Sequence, residues 1–149
     1  MKQTTIAYLA GLVDGEGYIG IKKTRSPHSV SPLYHERIQV RMVHEGSIKF
    51  LADTLGGKYY VEKPRSAQGR PLFCWQASDA LACRILETLL PFLIIKRESA
   101  LTVLALRVSK SDPLSRIRGG PTGRVMDPSI LDHREALYLA AKALNHAPV

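Results

Sequence analysis

The sequence predicts an α+β domain built around an antiparallel sheet. Two observations carry that reading. The apolar spacing alternates between helical and strand periods in the order helix, two strands, helix, two strands, helices, and Gly-Gly, Pro and Asp mark the switches. With 149 residues, 45% of them apolar and 23% charged, the chain is long enough for one core, so 1–149 is expected to be a single domain.

Thr4 or Thr5 is placed to cap a first helix over about 5–14, where Ile6, Leu9, Leu12 and Val13 recur at helical spacing and Gly15 and Gly17 stop it. Two strands follow at about 18–23 and 36–43: Ile19 and Ile21, then Ile38, Val40 and Met42, alternate with Lys22, Arg37, Gln39 and Arg41. Between them, 24–35 holds two prolines and three serines and reads as a polar loop. A helix over 47–55 places Ile48, Leu51 and Leu55 on one face and stops at Gly56-Gly57. Strands at about 58–63 and 72–77 flank a basic loop with Arg65, Gly69 and Arg70, and turn Tyr59, Val61, Phe73, Trp75 and Ala77 to the apolar side. Ser78 or Asp79 caps a helix to about 90, Pro91 breaks it, and 93–109 resumes helical spacing through Leu101, Leu104 and Val108. The Gly-, Pro- and Arg-rich stretch 112–127 reads as a loop, and 128–144 as a last amphipathic helix. No internal repeat is present.

A formal charge of +8 and a pI near 9.7 suit an anionic polymer as partner. Cys74 and Cys83 form no CxxC pair, which argues against both a disulfide framework and a zinc site. The apolar run 6–13 is too short to span a bilayer and has no basic segment or cleavage site beside it, so a soluble, intracellular protein without membrane contact is expected.

The nine residues Leu9-Ala10-Gly11-Leu12-Val13-Asp14-Gly15-Glu16-Gly17 resemble the signature of the LAGLIDADG homing endonucleases, agreeing at seven of nine positions if Glu stands for the final Asp. The element order, Gly56-Gly57, Trp75, and Leu90-Pro91-Phe92-Leu93-Ile94-Ile95-Lys96 also look like that family, so the resemblance covers roughly 4–110 and, more loosely, the last helix. It implies an αββαββα fold with a saddle-shaped antiparallel sheet under helices. It also implies metal-dependent double-strand cleavage of a long pseudo-palindromic DNA site, as in intron homing, by a homodimer. Mg²⁺ would be the cofactor, Mn²⁺ a substitute and Ca²⁺ a support for binding only. The host compartment, cytoplasm or organelle, is left open. A second reading is an RNA-binding maturase, and a third a catalytically inactive DNA-binding regulator, both on the same fold.

The residues support the catalytic reading on their own. A helix C-terminus carries unpaired carbonyls and partial negative charge, so Asp14 and Glu16 there invite a cation. A hard divalent ion takes oxygen ligands, which the Glu16 carboxylate and the Gly15 carbonyl offer. The bland alternative is a tight helix end with an exposed acid. By resemblance, Asp14 is subsidiary to Glu16, and Lys96 is a catalytic residue that stabilises charge developing on the phosphate or polarises the attacking water. Met42 and Val43 occupy places where that family has a further polar residue, and His44 or Arg41 could stand in for it. Ala7, Ala10 and Gly11 lack side-chain bulk, which suits either a helix packed tightly against its own sheet or, as the resemblance implies, a dimer interface about a twofold axis that includes Asp14. Outward strand alternates Tyr18, Lys22, Thr24, Arg37, Gln39, Arg41, Tyr60, Glu62, Cys74 and Gln76 are expected to read DNA. Lys23, Arg25, Lys63, Arg65 and Arg70 are expected to grip phosphates.

Overall fold

The computed structural model describes residues 1–27, 30–112, 118–120 and 123–146. Helix α1 (Gln3–Glu16) runs straight into β1 (Gly17–Thr24), which pairs with β2 (Leu33–Met42). Helix α2 (Glu45–Leu55) leads to β3 (Lys58–Glu62) and β4 (Leu72–Ser78). Helix α3 (Asp79–Leu89), one 3-10 turn (Leu90–Phe92) and α4 (Arg97–Ser111) follow, then a ribbon of β5 (Arg118–Gly120) and β6 (Gly123–Val125), and α5 (Pro128–His146). The main sheet is antiparallel throughout, in the order β1-β2-β4-β3.

The alternation read from sequence sets the faces. Ile19, Ile38 and Ala77 share one register line, and Gly17, Val40, Trp75 and Tyr59 the next. Ile19, Ile38, Val40 and Trp75 are fully buried against Leu9, Val13, Ile48, Leu51, Leu86, Leu89 and Leu106 of the helices. The helices of this core therefore pack on one face of the sheet and leave most of the other open, with α5 reaching its edge along β1. Trp75, the largest side chain in the core, donates its indole N–H to the Gly56 carbonyl at 2.7 Å. The chain reaches that position through Gly56 and Gly57 at φ 79° and 97°, where a Cβ on Gly57 would meet the Gln76 carbonyl at 2.7 Å.

Several boundaries differ from expectation for identifiable reasons. Helix α1 begins at Gln3 with Lys2 as its cap, so Thr4 and Thr5 lie inside its first turn. Gly15 lies within the helix, and Gly17 ends it with extended backbone. The first hairpin is longer than 18–23 and 36–43, because Leu33 and Tyr34 pair with Thr24 and Lys23. Helix α4 starts at Arg97 rather than 93, since the Asp14 carboxylate takes the N–H groups of Ile94, Ile95 and Lys96. The 112–127 stretch contains the β5–β6 ribbon, while 113–117, 121 and 122 lie outside the described residues. Among the described residues no helix is long and apolar enough to cross a membrane.

Helix α4 is tied to the sheet by charge. Glu36, on the covered face of β2, is fully buried and accepts from Arg107 at 3.0 Å and Lys110 at 2.7 Å. Removing one member of such a buried set leaves the others desolvated and uncompensated. Glu36→Ala is therefore expected to cost about 3 kcal/mol, the low end of the range for buried pairs because both cations keep partial solvent access. A shift in the urea midpoint at unchanged slope measures it, and a loss below about 0.5 kcal/mol contradicts it.

Candidate active site and nucleic-acid interface

Glu16 is the last residue of α1, exposed, and its carboxylate has no hydrogen-bonding or ion-pair partner among the described residues. The last turn of α1 contains no basic residue of its own. A fixed cation comes from elsewhere in the chain: Lys96, half-buried at the N-terminus of α4, donates its ammonium to the Asp14 carbonyl. Two residues from Glu16, the negative end of the helix thus already meets one positive charge.

Asp14 makes that arrangement possible. Its Oδ2 accepts from the backbone N–H of Ile94 at 2.7 Å and Ile95 at 3.2 Å, and its Oδ1 from Lys96 at 3.0 Å. One carboxylate therefore joins the C-terminus of α1 to the N-terminus of α4, where partial positive charge favours it. The expectation that Asp14 lines a dimer interface is corrected: it is buried within its own chain. Ala10 is corrected in the same way, since it is fully buried in the core. Gly11 is different. It is exposed, and a Cβ added there would meet nothing within 4 Å. A mid-helix glycine costs about 1 kcal/mol relative to alanine, and nothing inside this chain requires it. Around it the exposed face runs from Tyr8 to Gly15, with Ala7 half-exposed, Phe50 of α2 tilted against Tyr8, and Ile94 and Ile95 84% and 69% exposed.

His44 does not join Glu16. Its Nδ1 accepts from the Ser47 N–H at 3.1 Å, so the ring caps α2 and lies against Gly46. The cap assignment was hidden from sequence because His is an infrequent cap residue. Arg41 is held on the sheet by Glu62 rather than turned toward the acid.

The uncovered face of the sheet carries most of the expected reading residues. Cross-strand neighbours Tyr18, Gln39, Gln76 and Lys58 form one line, Arg41, Cys74 and Tyr60 another. Gln39 donates to Tyr60 Oη at 3.2 Å, and Tyr60 to Gln76 Oε1 at 3.4 Å, so these side chains are pre-ordered. Burial pushes the Tyr18 phenol above its ordinary pKa, and the ring lies across Gly20, where a Cβ would come within 2.3 Å of the hydroxyl. Glu16, Tyr18, Lys22, Arg37, Gln39 and Arg41 all line one open groove of about 550 Å³, with Tyr138 of α5 on its wall. Lys63, Arg65 and Arg70 stand exposed at the β3–β4 turn, and Arg25 beyond the end of β1.

One expected contact is corrected. Cys74 has the outward parity but is fully buried, and burial holds its thiol in the protonated form beneath the Arg41 and Tyr60 side chains. Lys23 pairs with Glu135 of α5 at 2.8 Å and still lines the groove, at its Tyr138 wall. Lys23 and Tyr34 together hold the Glu135 carboxyl below its ordinary pKa. Sequence parity alone placed Lys23 on the covered face, and only its position near a loop tip had suggested phosphate. His35 and Lys58 are outward residues that the sequence reading passed over, though the same alternation names both.

No family model matches the chain, and a search of curated proteins finds no relative. Solved structures do match. The homing endonuclease I-CvuI, in complex with a DNA target in the presence of Mg, superposes with a TM-score of 0.72 at 23% identity, over 98% of this chain and 85% of that one. The archaeal intron-encoded homing endonuclease I-Vdi141I, complexed with DNA, gives 0.76 at 10% identity over 100% and 89%. The fold is that of the LAGLIDADG homing endonucleases. I-SmaMI, a LAGLIDADG homing endonuclease with structures bound to DNA, matches at TM-score 0.69 and 16% identity over 97% of this chain, which spans only 45% of that one. On this LAGLIDADG fold the nine-residue match falls on α1, with Glu16 at its open end.

Proposed function

We propose that this chain is a site-specific, divalent-metal-dependent DNA endonuclease that cuts both strands as a homodimer. The observation that carries it is the unpartnered Glu16 carboxylate at the edge of a groove whose other walls are Lys22, Arg37, Gln39 and Arg41. A lone acid beside a polyanion is repulsive unless a cation bridges them, and a basic face with amide and guanidinium groups suits base edges and phosphates. Among the described residues no group of three or more His, Cys, Asp and Glu could hold a metal ion. Its ligands would then be the Glu16 carboxylate and Gly15 carbonyl of two copies, completed by phosphate oxygens, an all-oxygen set that fits Mg²⁺. Such an ion neutralises charge on the phosphate and lowers the pKa of a bound water. Lys96, already fixed at the end of α1, supplies a second positive charge toward the scissile phosphate. Arg37, Gln39 and Gln76 face base edges, and Lys63, Arg65 and Arg70 grip the backbone.

Two copies bring two Glu16 residues to one site if they pack across Gly11, where backbone can approach backbone. The exposed apolar rim of Tyr8, Phe50, Ile94 and Ile95 supports that face as the contact. A maturase or regulator reading needs only the sheet and leaves the free Glu16 without a use.

Cleavage is expected to require Mg²⁺ or Mn²⁺ and to stop in a chelator, while binding persists in Ca²⁺. Gly11→Leu is expected to shift the wild-type dimer to monomer in sedimentation and to leave nicking at most. Full cleavage in chelator removes the metal mechanism, and double-strand cutting by a persistent monomer removes the homodimer.

A further inference from the structure

At the end of β1 farthest from Glu16, the outward strand residues Thr24 and His35 and the helix residue Asp79 form a directed chain of hydrogen bonds. Asp79 Oδ1 lies 2.9 Å from His35 Nδ1, and His35 Nε2 lies 3.2 Å from Thr24 Oγ1. They come from α3, β2 and β1, and Thr24 and His35 are each partly exposed. Asp79 is the single non-glycine residue with positive φ among the described residues, at 56°. An aspartate in the first turn of a helix ordinarily turns its carboxylate to that helix's own N–H groups. Here the left-handed backbone accompanies a carboxylate aimed at His35, and Ser78 makes no side-chain cap bond in its place. Lys110 Nζ, 3.7 Å from Asp79 Oδ1, flanks the carboxylate on its other side.

The direction of the chain follows from what each group can do. A carboxylate only accepts, so the proton of a neutral His35 ring sits on Nδ1 and Nε2 keeps its lone pair. The Thr24 hydroxyl then donates to Nε2 and presents lone pairs outward. A free threonine hydroxyl donates or accepts and so discriminates poorly between base edges. This one has its direction set from behind. The charged groups facing His35 are Lys22, its cross-strand partner on β1, Arg37 on β2, Asp79 on α3 and, beyond Asp79, Lys110 on α4.

We propose that Asp79, His35 and Thr24 form a specificity-determining relay that makes Thr24 a hydrogen-bond acceptor toward the major groove while His35 is neutral. It then selects an exocyclic amino group, that of adenine or cytosine. The inference rests on the outward sheet face being the DNA-reading surface. Asp79 and His35 are positioning residues, and Thr24 makes the contact.

The test is selection from a pool of randomised duplex DNA in Ca²⁺. The wild type is expected to favour adenine or cytosine roughly fivefold at one position of each half-site, the worth of one hydrogen bond. Asp79→Asn frees the ring tautomer and is expected to erase that preference, with every other position selected as in the wild type. Thr24→Val gives the same result without touching α3, which keeps the test open if Asp79→Asn unfolds. Unchanged selection in both variants overturns the relay. Arg37→Ala and Gln39→Ala separate the two levels: if they alter selected positions while the relay variants do not, the relay alone falls. If they alter none, the sheet-face reading falls and the relay with it.

Discussion

Glu16→Gln is expected to abolish double-strand cleavage, by at least on the order of 10³-fold, while folding and sequence-specific binding persist. That loss corresponds to the several kcal/mol of charge stabilisation that a metal ion contributes at a phosphate. The substitution removes one negative charge and almost no volume. The Glu16 carboxylate is exposed and has no partner among the described residues, so its loss should change stability by no more than about 0.5 kcal/mol. Binding should hold or tighten, because one repulsive charge leaves a surface that otherwise carries Lys22, Arg37 and Arg41. Gel-shift affinity in Ca²⁺ and single-turnover cleavage in Mg²⁺ separate the two effects. If cleavage survives within about tenfold of wild type, Glu16 is a helix end with an exposed acid and the metal is held elsewhere.

The elements legible in the sequence are those governed by period and local signals. Strand parity placed Ile19, Ile38, Val40 and Trp75 on the covered face and Tyr18, Gln39 and Gln76 on the other, since a period of two leaves no third choice. Gly56-Gly57 ended α2 because both adopt positive φ. The nine residues that end in Glu16 and Gly17 were legible because they are a chemical constellation at fixed spacing. What the sequence hid depends on partners distant in the chain. Parity makes Cys74 outward, yet Arg41 and Tyr60 close over it. Local spacing continues α4 back to 93, and only the Asp14 carboxylate, some eighty residues away along the chain, delays its start to Arg97. Ala10 and Gly11 are equally small, and it takes the packing of α1 to bury one and leave the other open.

Asp14→Ala is expected to cost about 3–5 kcal/mol and to slow cleavage by about 10²-fold under conditions where the variant is still folded. The stability loss follows from three backbone N–H groups, of Ile94, Ile95 and Lys96, that lose one shared, charged acceptor together. It also removes the negative charge at the N-terminus of α4, where the helix dipole favours it. The activity loss has a different origin. Lys96 holds its backbone N–H on the Asp14 side chain and its ammonium on the Asp14 carbonyl, so releasing the 94–96 segment lets the ammonium leave its place at the end of α1. Asp14→Asn should fall between, because one amide oxygen still accepts while its NH₂ confronts the other donors. A double-mutant cycle with Lys96→Ala tests the route: if Asp14 acts on cleavage through Lys96, the double variant cuts no more slowly than the worse single one. Fully additive losses in cleavage would show instead that Asp14 reaches the chemistry by another path, and wild-type stability in Asp14→Ala would refute the three-donor bridge between α1 and α4.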